Sequence, residues 1–422
     1  MLIQMLEQKI YDRYDRGESE RIAVLDIEID NLRMIKDTFG HRVGEQIVIK
    51  AAKIIEELLE QCCDISRAAE GEFIVILPTV EDTSYIEKCA QRLVDSFTRP
   101  ILTGAGIEAL FAVIHIGVSI YPDHGRDAYT LLKNADLAGF QAKSMNKKVV
   151  FYTQQLEDHI AENTLFTNRL FQSLQNEEFS LEFQPQVSCD TGKTVGVEAL
   201  LRWTIDGNKR IPPDKFIYIL EQTGLIYDVG LWVLEQALQE HNRLVLKGFP
   251  PLRFSVNLSI VQFHIEDFIV DFVKIIEKSR VDPKYIELEI TESLFSENPE
   301  EIITKLHKLR ELGLNIALDD FGKGYSSLHR LEVIPFDRIK IDKSIIDDIN
   351  VRGKKAVIAE TIVSLAKTLR ADITAEGVET KEQVDFLRDL ACDEIQGYYF
   401  SRPLSAEALE EFLDKEGCRR LD

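Results

Sequence analysis

The chain has 422 residues and a formal net charge of −22, with 45% hydrophobic and 29% charged residues. This length predicts two globular domains, and apolar runs too short to cross a bilayer predict no membrane segment and a cytoplasmic protein. The large excess of acids repels polyphosphate backbones, which disfavours nucleic acids as partners.

The first 152 residues alternate between strand and helix patterns. Strands are predicted where apolar and β-branched residues alternate, and helices where apolar residues recur three and four positions apart. The predicted strands cover 22–29, 73–77 and 112–120, and the predicted helices cover 45–60, 85–97 and 128–143. Together they predict a compact α/β domain over 1–152, and the helical pattern of 153–175 predicts a linker helix.

The second predicted domain covers 176–422, where apolar strands alternate with amphipathic helices. Repeated units of this kind predict a TIM-like (β/α)8 barrel, in which the active site lies at the C-terminal ends of the strands. Each predicted strand is apolar until its end, where it carries an acid, an amide or a lysine. These strand-end residues are Glu198, Asn257, Glu289, Asp319, Asp320, Lys340, Glu376 and Gln396.

The chemistry of the strand-end residues depends on their convergence. Any one of these acids alone is usually a helix cap or a rim charge. Five carboxylates at one mouth, however, would repel one another and raise each other's pKa unless cations lay among them. Oxygen ligands without histidine or thiolate favour Mg²⁺ or Mn²⁺ over zinc. The pattern therefore predicts a two-metal phosphodiesterase site.

Seven separated motifs in this half carry a family resemblance. They are EALLRW (198–203), NLS (257–259), ELEITES (287–293), DDFGKGYSSL (319–328), KID (340–342), AEGVET (375–380) and QGYYFSRPL (396–404). Their order and spacing resemble the EAL-domain phosphodiesterases over about residues 166–411. The resemblance implies a TIM-like barrel that converts cyclic di-GMP to linear pGpG with Mg²⁺ or Mn²⁺ and that works as a homodimer.

The resemblance also implies a ligand set for two metals. Glu198, Asn257, Glu289 and Asp319 would bind one ion, and Asp319 would bridge to a second ion held by Asp320. Glu198 is therefore expected to be essential for catalysis.

Further site residues are implied by the same motifs. Lys340 would hold the attacking water, and Glu376 would act as the general base. Arg202 would pair with a substrate phosphate, a task that suits a planar guanidinium. The remaining matches are Gln184 and Gln396 in the nucleotide pocket, Glu292 as the anchor of a mobile loop, and Glu379 as a support behind the ligands.

The first 152 residues resemble the GGDEF diguanylate cyclases, which implies a nucleotide-cyclase-like α/β sandwich. The motifs are VLDIEIDNLRMIKDTFGHRVGE (24–45), RAAEGEFIVIL (67–77), IGVSIYPDHG (116–125) and ADLAGFQAK (135–143). Lys143 matches a family contact to phosphate.

The functional positions of this first half depart from the family. Where relatives have GGDEF, this chain has Ala69-Glu70-Gly71-Glu72-Phe73. Ala69 and Glu70 put side chains on a turn whose backbone must approach the nucleotide closely. Gly71 replaces a metal-binding acid, and Lys36 replaces an asparagine that recognises guanine. We therefore expect a degenerate domain with a regulatory or structural role.

Two alternatives to an active phosphodiesterase with an inactive first half remain open. One is a catalytically silent cyclic di-GMP receptor that uses the barrel only for binding, although the complete set of acids argues against it. The other is a bifunctional cyclase and hydrolase, which the changes at 69–71 oppose.

Overall fold

In the computed structural model, the described residues are 2–16, 21–59, 63–80, 82–102, 109–291, 299–323, 331, 333–347, 349 and 353–417. The chain forms two compact units, Met1–Thr164 and Leu165–Asp422. None of the described helices is both long and apolar enough to span a membrane.

The first unit is a five-stranded sheet with helices on both faces. Its strands are β1 (Arg21–Ile29), β2 (Asp64–Ala69), β3 (Glu72–Val80), β4 (Ile114–Tyr121) and β5 (Val149–Phe151), in the order β2-β3-β1-β4-β5. Its helices are α1 (Leu2–Arg16), α2 (Leu32–Phe39), α3 (His41–Leu59), α4 (Thr83–Phe97) and α5 (Ala128–Ser144). The central strand β1 is antiparallel to both neighbours.

Strict alternation along β1 explains why both faces of this sheet are covered. Leu25 and Ile27 belong to the larger apolar cluster with α3 and α4, whereas Ile22 and Val24 pack with α1 and α5. Neighbouring residues of a strand point to opposite faces, so a strand with apolar residues on both faces needs a helix layer on each side. The predicted α/β sandwich is confirmed.

The second unit is built on nine strands. They are β6 (Phe179–Ser188), β7 (Thr194–Ile205), β8 (Lys209–Ile211), β9 (Arg253–Asn257), β10 (Ile286–Thr291), β11 (Asn315–Phe321), β12 (Arg338–Ile341), β13 (Asp372–Ala375) and β14 (Glu394–Gln396). Eight of them close a ring in the order β6-β14-β13-β12-β11-β10-β9-β7, because β6 also pairs with β7. The predicted TIM-like barrel is confirmed. It differs from an all-parallel barrel in that β6 is antiparallel to both of its neighbours.

Helices and one 3-10 turn alternate with these strands. They are α6 (Gln154–Ser173), α7 (Pro213–Thr223), α8 (Ile226–Leu246), α9 (Ile260–Phe263), α10 (Phe268–Ser279), the 3-10 turn Pro283–Tyr285, α11 (Pro299–Glu311), α12 (Lys343–Ile346), α13 (Lys354–Leu369), α14 (Lys381–Asp389) and α15 (Ala406–Lys415). Helix α6 contains the division between the two units, and Phe166 and Leu170 near its end belong to the core of the second.

The interior of the barrel is charged, as strand β10 shows. Its residues Ile286, Leu288 and Ile290 are buried in the apolar layer beneath the helices. Glu287 and Glu289 alternate with them and are buried too, so both carboxylates point into the barrel. Glu287 belongs to a second buried polar layer, two residues nearer the start of β10 than Glu289, which we call the basal network. Its members are Gln186, Arg253, Ser255, Glu287, Arg338, Thr374 and Glu394.

Candidate active site

Strand register brings the predicted strand-end residues to one mouth. Asn257 of β9 lies directly opposite Glu289 of β10, and Gln184 of β6 lies opposite Glu198 of β7. Residues that are opposite each other in a sheet share a face, so these side chains meet inside the barrel.

Lys340 lies at the centre of this group and is completely buried. Its ammonium nitrogen is 2.6 Å from Glu289 Oε2, 2.7 Å from Glu376 Oε1 and 3.2 Å from Asp319 Oδ1. A fourth carboxylate, Glu198 Oε2, lies at 3.6 Å. One cation is therefore shared by four acids.

Amide groups hold both oxygens of Glu198. Asn257 Nδ2 donates to Oε1 at 2.8 Å, and Gln396 Nε2 donates to Oε2 at 2.6 Å. Gln396 Nε2 is also 3.2 Å from Gln184 Oε1, and Gln184 Nε2 donates to the Ser401 carbonyl. Gln184 and Gln396 thus lie beneath the mouth, where both are buried.

The pKa values of the carboxyl groups at the mouth are shifted, because these groups are buried and only one ammonium group of the described residues lies among them. Burial raises the pKa of Glu376 to about 8, although the adjacent Lys340 acts in the opposite direction. Burial and the neighbouring Glu198 hold the pKa of Glu289 well above its usual range. Burial also acts to raise the pKa of Glu198, but Lys340 and the amide donors outweigh it, and the pKa is lowered.

Asp319 and Asp320 both reach the mouth although they are successive residues. Asp320 has a φ of 55°, and the pairing of β11 with β12 changes register between Leu318 and Phe321. This irregularity interrupts the alternation of side chains. Burial, Asp319 and a hydrogen bond with Asp342 raise the pKa of Asp320.

The donor set fits divalent cations that prefer oxygen. Both carboxylate oxygens of Glu289 and Oδ1 of Asp319 are buried and make no well-aligned hydrogen bond to a described residue. Such oxygens can serve as ligands to Mg²⁺ or Mn²⁺. Within the described residues no three His, Cys, Asp or Glu side chains are already arranged around a metal position, because the carboxylates surround Lys340 instead.

Arg202 lies beside the mouth and is held in place by an acid. Its Nε donates to Glu182 Oε2 at 2.8 Å, and that carboxylate also pairs with Arg210 at 2.6 Å. Arg202, Asn257 and Ser259 line a cavity of about 460 Å³ in the second unit. A molecule in this cavity can therefore reach both Asn257 and the guanidinium.

Comparison with known families and proteins identifies the chain. The EAL domain family matches residues 167–403, and the family "Diguanylate cyclase, GGDEF domain" matches residues 1–148. The chain belongs to the EAL-domain family. A GGDEF domain precedes its EAL domain.

Several curated relatives share this EAL protein's two-domain order. Signaling protein YkoW of Bacillus subtilis is 35% identical, over 93% of this chain and 49% of the relative. Cyclic di-GMP phosphodiesterase NbdA of Pseudomonas aeruginosa is 34% identical, over 94% of this chain and 51% of the relative. From the same organism, the bifunctional diguanylate cyclase/cyclic di-GMP phosphodiesterase MucR is 32% identical, over 97% and 58%. The chain spans about half the length of the curated relatives it matches.

Solved EAL structures match the barrel. The PaMucR phosphodiesterase in complex with c-di-GMP is 36% identical with a TM-score of 0.56, and the match covers 58% of this chain and 99% of that one. EAL enzyme Bd1971 with cAMP and cyclic-di-GMP bound is 29% identical with a TM-score of 0.58, over 72% and 82%.

Of the two supporting residues predicted from the motifs, only Glu379 lies within the described part of the chain. Glu379 is 44% exposed, and its carboxylate pairs with Lys343 at 2.7 Å. Glu292 falls outside the described residues. Sequence reasoning assigned no role to Asp342, which hydrogen-bonds with Asp320. The available signal was its position in the KID motif, because Asp342 follows Lys340 by two residues, directly after the end of the strand.

In the GGDEF domain, acids already pair with the two lysines singled out from the sequence. The Lys36 side chain is 8% exposed and forms an ion pair with Glu70, on the turn that replaces the GGDEF motif. Lys143 lies 2.9 Å from Glu28 and 2.7 Å from Asp30. Neither ammonium group faces the solvent without a counter-charge.

Proposed function

We propose that the EAL domain of this chain hydrolyses cyclic di-GMP to linear pGpG with two Mg²⁺ or Mn²⁺ ions. The observation that carries the proposal is the buried mouth in which four carboxylates share Lys340. Relatives named as cyclic di-GMP phosphodiesterases and an EAL structure in complex with c-di-GMP support the choice of substrate.

In this proposal the acids and Asn257 hold the cations. Glu198, Asn257, Glu289 and Asp319 form the first ligand set, and Asp319 with Asp320 form the second. When bound, the ions lower the pKa of water and offset negative charge that develops on the phosphate. The buried oxygens of Glu289 and Asp319, which accept no well-aligned hydrogen bond from a described residue, support these assignments.

The reaction itself is the attack of a water oxygen on one phosphorus of the cyclic dinucleotide. Lys340 orients the water by hydrogen bonding, and Glu376 accepts its proton, which places both as catalytic residues. The phosphorus–O3′ bond breaks, and the leaving 3′ oxygen takes up a proton from solvent water, to which Glu376 later returns the proton that it accepted. The linear product keeps both phosphates.

Substrate binding in this proposal involves groups on either side of the mouth. Arg202, which Glu182 holds in place, pairs with a phosphate through its planar fork. Gln184 and Gln396 contribute from below, through their hydrogen bonds at the mouth. We also propose that the barrel forms a homodimer. The resemblance to the EAL family supports this proposal, and the scattering mass of the active protein tests it.

The GGDEF domain has a regulatory or structural role in this proposal and makes no cyclic di-GMP. Gly71 supplies no carboxylate, and the pair between Lys36 and Glu70 occupies the turn that a nucleotide would need. Lys143 is engaged by Glu28 and Asp30. A triphosphate would have to displace these acids against their charge.

One assay distinguishes an active phosphodiesterase from a catalytically silent cyclic di-GMP receptor. The chain is incubated with cyclic di-GMP and Mg²⁺, and the nucleotides are separated by ion-exchange chromatography. We expect pGpG with Mg²⁺ or Mn²⁺ and much less with Ca²⁺, whose longer bonds misplace the attacking water. Glu198→Ala and Asp319→Ala should each abolish turnover. Recovery of intact cyclic di-GMP from a protein that binds it would favour the receptor.

A further inference from the structure

A hydrogen-bond path runs through the barrel from the basal network to Glu198. Arg253 Nη2 donates to Gln186 Oε1 at 2.8 Å, and Gln186 Nε2 donates to Gln396 Oε1 at 3.1 Å. Gln396 Nε2 then donates to Glu198 Oε2 at 2.6 Å. We propose that Gln186, held by Arg253, is a positioning residue that fixes the Gln396 amide so that it donates to Glu198. This inference rests on the proposed function, in which Glu198 is a metal ligand.

The direction of the path follows from the chemistry of its first member. A guanidinium has donors and no acceptor, so only the oxygen of the Gln186 side chain can face Arg253. The Gln186 nitrogen must then face β14. Gln186 is completely buried, so no solvent water can substitute for either contact.

The same constraint passes to Gln396. Its oxygen faces the Gln186 nitrogen, and its own nitrogen is therefore directed at Glu198. If the Gln396 amide were flipped, its NH₂ group would face the NH₂ group of Gln186, and its oxygen would face Glu198 Oε2. Buried groups without a partner are unfavourable, so the path has a single low-energy orientation.

Arg253 is itself fixed by acids of the basal network. Its Nη1 donates to Glu394 Oε1 at 2.9 Å, and its Nε donates to Glu287 Oε1 at 3.1 Å. Arg338 closes the network from the other side, at 2.9 Å from Glu287 Oε2 and 3.1 Å from Glu394 Oε1. These pairs hold the Arg253 guanidinium in one orientation, and the path transmits this orientation to Gln186.

A glycine makes room for the first step of the path. A Cβ atom at Gly196 would lie 2.7 Å from Gln186 Oε1 and 3.0 Å from Arg253 Nη2. Gly196 stands opposite Gln186 in the pairing of β6 with β7. Any larger residue there would push the amide and the guanidinium apart.

The test compares two substitutions of Gln186 that a purely structural role would rank in the opposite order. Gln186→Glu keeps the acceptor for Arg253 but offers Gln396 a second acceptor, which favours the reversed amide and turns an oxygen toward Glu198. Gln186→Met removes both contacts but leaves Gln396 free to donate to Glu198. Mn²⁺ binding to the full-length chain without nucleotide is measured by electron paramagnetic resonance titration, together with Tm.

We expect Gln186→Glu to weaken Mn²⁺ binding about 10–100-fold, the usual effect of losing a partner that orients a ligand. Gln186→Met should weaken it less while lowering Tm more, because Arg253 loses an acceptor. Gly196→Ala should also weaken Mn²⁺ binding, since it parts Gln186 from Arg253. The matched control is Ser173→Ala, which removes a 3.0 Å hydrogen bond from Trp203 Nε1 in the core of the second unit and lies outside both the path and the basal network. Its Mn²⁺ affinity should equal that of the parent.

The outcomes separate this inference from the proposed function. If the parent binds Mn²⁺ and hydrolyses cyclic di-GMP but Gln186→Glu binds Mn²⁺ equally well, the positioning role is overturned alone. The same holds if loss of Mn²⁺ affinity simply follows loss of Tm across the variants. If the parent neither binds Mn²⁺ nor hydrolyses cyclic di-GMP, the proposed function is overturned, and the inference with it.

Discussion

Replacing Lys340 by methionine tests whether the carboxylates of the mouth depend on one buried cation. The ammonium has no exposed surface and lies within 3.6 Å of four carboxylates. Removing one partner of a buried ion pair costs about 3–5 kcal/mol, because the remaining charge has no compensation. For domains of 150–250 residues each kcal/mol changes Tm by about 2–4 °C, so Lys340→Met should lower the Tm of the barrel by roughly 6–20 °C in EDTA.

The assay is thermal unfolding by circular dichroism, with EDTA and then with excess Mn²⁺. Added cations supply positive charge to the same oxygens, so the difference between variant and parent should narrow with Mn²⁺. Lys343→Met is the control, since that lysine is 48% exposed and pairs with Glu379 at the surface. Its loss should stay within about 1 kcal/mol. A Lys340→Met protein that unfolds within a degree or two of the parent in EDTA would refute the reasoning.

Three further predictions concern pH and the GGDEF domain. His241 is buried between Phe254 and Tyr285, and burial lowers its pKa, so its contribution to stability is present above about pH 6.5 and lost as the pH falls. The urea midpoint of the barrel should therefore fall less between pH 7 and pH 5 in His241→Phe than in the parent. Burial raises the pKa of Asp26 to about 8, so its contribution is present at low pH and is lost as the pH rises toward 8. The free energy of unfolding of Asp26→Asn, relative to that of the parent, should therefore increase by up to about 1.4 kcal/mol for each pH unit as the pH rises toward 8. Equal urea midpoints of the two proteins at pH 8 would contradict this. Finally, Glu198→Ala protein given GTP and Mg²⁺ should accumulate no cyclic di-GMP above a control without protein.

The strand-end residues could be predicted from sequence because the fold makes their meeting unavoidable. Asn257 and Glu289 end neighbouring parallel strands, so spacing alone places them together. The alternation of Glu287 and Glu289 with apolar residues likewise predicts two acids inside the barrel. Only Glu289 was predicted as a site residue, although Glu287 shows the same alternation.

Other features depend on contacts that no local pattern contains. Strand β6 runs antiparallel to its neighbours, but its apolar and polar residues alternate as they would in a parallel strand. Sequence periodicity therefore could not predict its direction. The φ of 55° at Asp320 and the register change beside it arise from pairing with β12. Strand β2 was missed because its sequence, DISRAA, has one large apolar residue, Ile65, and its last three residues are exposed. Helix α3 begins at His41, before the predicted start, because Val43 packs into the core.

Closure of the barrel between its first and last strands has a consequence for synthesis on the ribosome. Strand β6 pairs with β14, and Phe183 bridges to Leu404, more than two hundred positions later in the chain. Until those last residues emerge, β6 and β13 each carry an edge without its final partner, and open edges invite pairing with other chains. Contacts between such distant residues also form slowly. The nascent protein must therefore carry an incomplete ring through most of its translation, and truncation before β14 would leave that ring permanently open.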